Sequence, residues 1–476
     1  MTDNKNRAEL PTPNSTHSYW HRDPSKILLN HRTTEHLPST ADVVVVGSGI
    51  SGTFAARELV EAGGRDVLLL EAREACWGAT GRNGGHCQPA IWNSSAETAR
   101  FELSTFNLVN DLVTKNAVPC DWHVVGGMHP IYSPTILAAA KKQIARLQRH
   151  ADLRDKAYLV GEEGEGEVEF APEAIGAVFQ PFAAKLWPYK LVAWILEKLI
   201  LEGGGKRERE RGWFNLQTNT PVTGLDKDKD GDWTVSTPRG IVRAKQVLLA
   251  TNAYTSYLLP GLTDIIVPVR GQVCALQPPE GSVQLPHSYV WTTETGGDQY
   301  LVHRGPEDEG TQVGNPIADR SLILGGERHV VPAGEEGISR DDEVNPDISV
   351  ALHRSLAGAL KLLPADRPEH ETLRSTYEWT GIMGYSRDAQ PWVGSVPSAL
   401  LPETDTDGLW VCAGFTGHGM PVAPRCGVAV AEMMLGKEGG VELPEAWKPS
   451  EERMATVRDM LLPKSLEEFV LSLPAE

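Results

Sequence analysis

Six consecutive residues, Gly47-Ser48-Gly49-Ile50-Ser51-Gly52, constrain this chain more than any other segment. They follow ADVVVV, a β-branched run of the kind buried on both faces of a parallel sheet. They precede TFAARELVEAGG, where Phe54, Ala55, Leu59 and Ala62 fall at helical spacing and Gly63-Gly64 supplies a stop. DVLLLEA then reads as a second buried strand ending on Glu71, 19 positions after Gly52 (71 − 52). A glycine-rich turn alone is a weak signal. Placed between strand and helix, with an acid ending the next strand, it reads as a dinucleotide-binding β-α-β unit. Gly47 allows the tight turn, Gly49 lets a pyrophosphate approach the backbone, and Gly52 lets the helix pack close to the strand. Ser48, Ile50 and Ser51 supply backbone at the helix N-terminus, whose N–H groups and partial positive charge suit phosphate. Glu71, with Ala72 and Arg73 beside it, is placed to meet ribose hydroxyls. These features do not separate a flavin from a nicotinamide dinucleotide.

With 476 residues the chain exceeds one ordinary core, so two domains or three are expected. The formal net charge of −18 argues against nucleic acid or an anionic membrane as a main partner. No apolar run approaches the roughly 18 residues that span a bilayer, and the polar N-terminus lacks a signal-peptide core. The six scattered cysteines form no C-x-x-C pair, which suits free thiols in a reducing cytosol and predicts a cytoplasmic protein without a structural metal. The run Asp226–Asp232 imitates the start of a calcium loop. Its twelfth position is Thr237 instead of a bidentate Glu, so a solvated hairpin turn is the better reading. No G-x-S-x-G follows a strand, so a hydrolase elbow is absent.

Residues 1–40 read as an arm packed over the surface through Trp20. Helices are expected over 96–117, 134–152, 346–363 and in LVAWILEKLILEGGG after Pro188. Strands are expected within 121–132, as a meander over 213–250, and over 262–330. LWVCAGFTGHGMPVAPRCGVAVAEMML ends the pattern as strand, glycine-rich turn and helix of small residues. The fold class is therefore α/β, a Rossmann-like dinucleotide domain with a second, mainly antiparallel β (α+β) substrate domain. The expected division assigns 41–130, 175–260 and 395–440 to a discontinuous cofactor domain, 131–174 and 261–394 to the substrate domain, and 441–476 to a C-terminal extension.

A second glycine-rich loop, Gly78-Ala79-Thr80-Gly81-Arg82-Asn83-Gly84-Gly85-His86, follows the acidic strand. A nicotinamide domain has no need of it, whereas a flavin needs backbone close to its ring and ribityl chain. Here the sequence resembles the D-amino-acid-oxidase-like (DAO) superfamily of FAD oxidoreductases, and within it the branch that includes γ-glutamylputrescine oxidases. The resemblance continues in Val247–Ala253, which contains Thr251 and Asn252. It extends to Val222, whose counterpart meets the adenine, to Trp379-Thr380-Gly381-Ile382 with Ser386–Pro391, and to Gly414-Phe415-Thr416-Gly417-His418-Gly419-Met420. It implies bound FAD, held noncovalently because the tether position of sarcosine-oxidase relatives falls at Gly381, and a helix N-terminus facing the flavin N1–C2=O edge. Their oxygen-activating lysine falls near Ile323.

The resemblance further implies hydride transfer from a C–N bond of an amine or N-substituted amino acid to flavin N5, with O2 as acceptor giving H2O2. Arg82, His418, Trp379 and Met383 are the candidate catalytic residues. Met383 occupies the position where relatives that oxidise free amino acids place a carboxylate-binding arginine. Arg82, Arg270 and Arg328 are the possible replacements. Tyr300, His303 and Tyr385 are further candidates for the pocket wall, and His86 or Cys87 for an alternative tether. Two other readings remain open: a C–OH dehydrogenase resembling glycerol-3-phosphate dehydrogenases, and a non-catalytic flavoprotein.

Overall fold

The computed structural model describes residues 6–161, 168–203, 212–292, 298–305, 320–364, 366–401 and 404–462. The expected strand Thr40–Val46 forms, with Val43 to Val46 all buried. Val43 and Val45 face one apolar cluster and Val44 and Val46 another, so the β-branched run is covered on both sides, as its lack of polar alternation requires. It pairs in parallel with Val67–Leu70 and with Gly240–Leu249. Phe214–Gln217 extends the sheet in parallel at one side, and Leu409–Ala413 pairs in parallel with the far end of Gly240–Leu249. Helix Ile50–Glu61 packs against Ala423–Met434 on one face of this sheet. The approach is close because a Cβ on Gly427 would stand 3.1 Å from Ala55 N.

A second eight-stranded sheet is mainly antiparallel. Its longest pairing joins Ile266–Leu276 to Ser375–Ser386. Leu322–Gly325, Asp298–His303 and Ser288–Thr292 follow, then Gly127–Ile131, Gly176–Gln180 and Tyr158–Val160. This topology shifts the expected division. Gly127–Ile131 and Gly176–Gln180 hydrogen-bond into the second sheet although 41–130 and 175–260 were assigned to the cofactor domain. Trp392–Ser395, mostly within the segment 261–394, pairs with Leu409–Ala413 in the first sheet. The helix expected over 346–363 stops at Arg354, and turns carry 355–360. Part of the 441–476 extension, 463–476, lies outside the described residues. No described helix is long and apolar enough to cross a membrane. The Asp226–Asp232 run forms a hairpin turn in which Asp228, Asp230 and Asp232 pair with Arg243, and Asp232 also pairs with Lys245.

The arm is a structural member. Trp20 is fully buried and donates from Nε1 to the Asn83 carbonyl at 2.6 Å, while Trp187 Nε1 donates to the Trp20 carbonyl at 2.8 Å. Further along, Thr33 N donates to Leu216 O and Thr218 N to His31 O, so the arm caps the edge of the first sheet. Its earlier part crosses to the second sheet, where Thr16 N donates to Asp341 O at 2.7 Å.

Candidate active site

The two sheets meet around two adjoining cavities. The first, of about 240 Å³, runs from the opening glycine turn to the last one. Along it lie Gly47, Gly49, Ile50, Ser51, Glu71, Ala72, Arg73, Gly78, Ala79, Thr80, Arg82, Asn83 and Gly84. Val222, Thr251, Asn252, Gly381, Met383, Gly417, His418, Gly419 and Met420 complete it. Segments hundreds of residues apart thus share one elongated space, with Leu10 and Pro11 of the arm closing part of its wall.

The remaining expected cofactor residues support this wall from behind. Ser48 Oγ donates to Glu71 Oε2 at 2.6 Å and accepts from Cys76 N at 2.9 Å. A Cβ on Gly52 would run into the Gly47 carbonyl, one on Gly81 into Cys76 O and the His21 ring, and one on Gly85 into the Trp20 ring. Gly414 N donates to Asn252 Oδ1 at 3.1 Å, locking the last turn to the returning strand. Thr416 Oγ1 accepts from Ser386 N at 3.1 Å and borders the second cavity only. Trp379 is completely buried and donates to the Arg82 carbonyl at 2.8 Å; it braces the loop and forms no wall of either cavity.

The expected catalytic role of Arg82 is corrected in the same way. Its Nε donates to Trp77 O. Nη1 donates to Thr16 Oγ1 and Thr380 O, and Nη2 to Ser15 Oγ and Thr16 O. These contacts use all five N–H directions of the guanidinium. Burial lowers its pKa to about 10, against the opposing charge of Asp341. Asp341 also binds Arg73 Nη1 at 3.0 Å through both oxygens. Arg82 therefore ties arm, second glycine-rich loop and second sheet together, and has no donor left for a substrate carboxylate. Arg270 is likewise spent on Glu335 and Glu343.

The second cavity, of about 310 Å³, shares His86, Gly271, Tyr300, Met383, Phe415, Gly417 and His418 with the first. At this junction His418 Nε2 meets Glu102 Oε2 at 2.8 Å. Glu102 is 2% exposed and also accepts from Ala90 N at 2.7 Å. His418 leaves 43% of its side-chain surface open while lying deep in the molecule, so that surface belongs to the cavity. Burial opposes its protonation, but the charge and hydrogen bond of Glu102 outweigh this and raise its pKa. His86 goes the opposite way: burial, helped by His418, lowers it to about 4. Its Nδ1 is buried without a partner among the described residues, and its ring meets Tyr300 edge-on at 5.2 Å. Of the other candidates, Tyr385 and Arg328 border the second cavity. His303 lies outside both, accepting from Leu285 N at 3.1 Å. Cys87 is fully buried, and Ile323 belongs to the apolar core. Sequence reasoning missed Glu102. Its signal was phase: Ala99, Glu102, Phe106, Val109 and Val113 share the buried stripe of helix Ala96–Asn116, where an unpaired acid is costly.

The first cavity passes a test for FAD on its own geometry. Gly47 sits at φ +104°, and a Cβ there would stand 2.6 Å from Ala250 O, whereas one on Gly49 would meet nothing closer than Thr80 Oγ1 at 3.5 Å. The turn is thus tight where the chain folds on itself and open where a phosphate must approach. The Tyr254 hydroxyl borders this cavity, buried and unpartnered among the described residues. Fold and site together define a flavin-dependent oxidoreductase of two-domain architecture. Residues 42–433 match the family described as FAD dependent oxidoreductase (DAO), and the chain belongs to that family. It is 22% identical to a probable oxidoreductase, OrdL, of Haemophilus influenzae, over 86% of each chain. It is 24% identical to γ-glutamylputrescine oxidoreductase of Escherichia coli, covering 83% of this chain and 84% of that one. Glycine oxidase from Geobacillus kaustophilus shares the fold, with a TM-score of 0.66 at 18% identity over 87% of this chain and 99% of that one.

Proposed function

We propose that this enzyme oxidises a C–N bond of a small amine or N-substituted amino acid, with O2 as the acceptor that restores the cofactor and yields H2O2. The observation that carries the reading is the shared wall of the two cavities: a substrate-sized space opens onto the cofactor space through a boundary of two imidazoles, a tyrosine and a methionine. The names of the relatives, amine and amino-acid oxidoreductases, support it.

When bound, FAD supplies the two-electron acceptor for a hydride leaving the carbon that bears nitrogen. The chain supplies orientation, exclusion of water and a graded pair of imidazoles. His86, held neutral by burial, suits a neutral amine beside it, and needs no carboxylate to hold it in that state. His418, whose pKa the Glu102 carboxylate raises against the effect of burial, takes up a proton more readily where the cavities meet. Environments that push two titratable groups apart are the usual basis for dividing acid and base roles. The imine product is hydrolysed by water once released. Tyr300 and Met383 hold apolar surface against the substrate.

The test is anaerobic mixing of the yellow protein with a library of primary, secondary and N-methylated amines, watching the flavin absorbance. Bleaching by members of that library, followed by recovery and peroxide formation on admitting air, is expected. Bleaching by hydroxy acids or polyols alone would replace the reading with C–OH oxidation.

A further inference from the structure

We infer that Arg328 clamps a carboxylate borne by the substrate remote from the oxidised carbon, so that the site favours amines with a distal acid over free α-amino acids; this rests on the amine-oxidising reading above.

Three arginines border the two cavities. Arg73 and Arg82 are committed to Asp341. Arg328 differs. Its Nη1 donates to the Gly334 carbonyl at 3.1 Å and its Nη2 to the Tyr385 hydroxyl at 3.0 Å, both neutral acceptors. Its guanidinium lies 4.9 Å from the centre of the Tyr385 ring. No acidic partner is recorded for it among the described residues. Two of its five N–H groups are used in this way, which leaves a fork for a carboxylate. The acids of the same cavity are engaged elsewhere: Glu102 by His418 and Ala90 N, Asp298 by Thr292 Oγ1. Neighbouring Glu327 accepts from Gln299 Nε2 at 2.9 Å and is pushed by burial toward its neutral form. The cavity therefore presents a half-buried cation held in place by a ring and two hydrogen bonds, with no ion pair to an acid among the described residues.

Its position sets the kind of acid it can take. Met383 and Tyr385 lie two residues apart on strand Ser375–Ser386, so they project to the same face. Met383 borders both cavities, whereas Tyr385 borders only the second. Arg328, anchored on Tyr385, borders only the second cavity, away from the space it would share with the cofactor. An α-carboxylate, bonded to the reacting carbon itself, stays beside the wall common to the two cavities. A carboxylate at the far end of a short aliphatic amine reaches into the second cavity, where the guanidinium stands.

The experiment compares three probes of equal chain length, each as the primary and the N-methyl amine: pentylamine, 5-aminopentanoate and norvaline. Anaerobic stopped-flow gives the rate constant of flavin reduction and the half-saturating concentration for wild type, Arg328→Met and Arg328→Lys. In wild type, 5-aminopentanoate should outperform pentylamine by about ten- to a hundred-fold in the ratio of these two constants, as expected for one charge-assisted fork, and norvaline should not. Arg328→Met should abolish that preference, and Arg328→Lys should keep part of it. Equal ratios in wild type, or a preference that survives Arg328→Met, would overturn the clamp. If Arg328→Met does not retain FAD, the wild-type series and Arg328→Lys decide. If no amine bleaches the flavin, the amine reading itself fails. The clamp is then judged separately by titrating pentanoate and glutarate against the flavin spectrum. Binding weakened at least ten-fold by Arg328→Lys or Arg328→Met supports it, and indifference to both overturns it.

Discussion

Valine at position 49 should empty the cofactor site and leave the fold intact, whereas valine at position 52 should damage the fold itself. The difference follows from what a new Cβ meets. At Gly49 the backbone is at φ −66°, ψ 177°, which any residue adopts, and the nearest atom, Thr80 Oγ1, is 3.5 Å away. The apo fold should tolerate this change within about 1 kcal/mol. At Gly52 the new atom would overlap the Gly47 carbonyl and stand 3.1 Å from Ala250 Cβ. Overpacking of that kind typically costs about 1–3 kcal/mol or more. For FAD the order reverses in meaning: the open space beside Gly49 is where the pyrophosphate must reach the helix N-terminus. Losing two charge-assisted hydrogen bonds there, at roughly 1.5–3 kcal/mol each, weakens binding by about a hundred-fold or more. The assay is the ratio of flavin to protein absorbance after purification, beside the melting temperature of the FAD-stripped proteins. A Gly49→Val protein with a full complement of FAD would place the dinucleotide elsewhere.

Three further outcomes are expected. Acid precipitation should release the yellow chromophore into the supernatant, because Gly381 offers no tether and a Cβ there would already stand 3.0 Å from Arg82 Cβ; a pellet that keeps its colour contradicts this. Glu102→Gln should lower the His418 pKa, since the carboxylate charge and hydrogen bond that raise it are lost. Because the folded-state value is raised, the pair stabilises the protein fully below the ordinary histidine pKa of about 6.5 and loses that contribution as pH rises through the raised value. The inflection in the pH profile of flavin reduction should accordingly move down in Glu102→Gln; an unmoved inflection means that His418 does not govern it. Asp341→Asn should destabilise the protein by about 3 kcal/mol or more, because two buried arginines lose their shared counter-charge, and should loosen the arm through Thr12, whose hydroxyl donates to Asp341 at 2.6 Å. Thermal melting together with limited proteolysis near residue 12 reads both effects.

What could be read in the sequence was whatever the backbone alone decides. A glycine that must turn at φ +104°, a β-branched run covered on both faces and a helix of small residues are properties of consecutive residues, so the strand, turn and helices that line the first cavity were legible before any contact was known. Side-chain partners were not. Arg82 sits in the second glycine-rich loop, yet its donors go to Thr16 and Thr380, 66 and 298 positions away. A guanidinium in a glycine-rich loop looks available until those acceptors are placed. His418 and Glu102 are separated by 316 positions, and the buried phase of Glu102 on its helix signals an acid in need of a partner without saying which. The same limit explains the boundaries drawn too late at 130 and too early at 175. Gly127–Ile131 and Gly176–Gln180 are short strands next to helices in sequence. They pair with each other, and the long-range parallel pairing of Gly127 and Met128 with Ser288 and Tyr289 assigns both to the second sheet.

The two kinds of information combine at Met383. Sequence comparison identifies what is missing there, and the strand register identifies what stands one pleat beyond it. Placing the arginine at the Tyr385–Arg328 pair instead of position 383 leaves apolar, deformable surface at Met383, on the wall common to the two cavities. It moves ionic recognition to the far end of the substrate. Such an arrangement separates the two demands on the site. The junction with the cofactor space can keep the lowered pKa of His86 and the raised pKa of His418, without an α-carboxylate between them to alter either. Affinity is then supplied where no bond is broken, through a group whose charge is the same before and after oxidation. That is uniform binding, which lowers the half-saturating concentration and leaves the chemical step alone. Removal of Arg328 should therefore act mainly on the concentration dependence of flavin reduction, while changes at His418 and Glu102 act on its limiting rate.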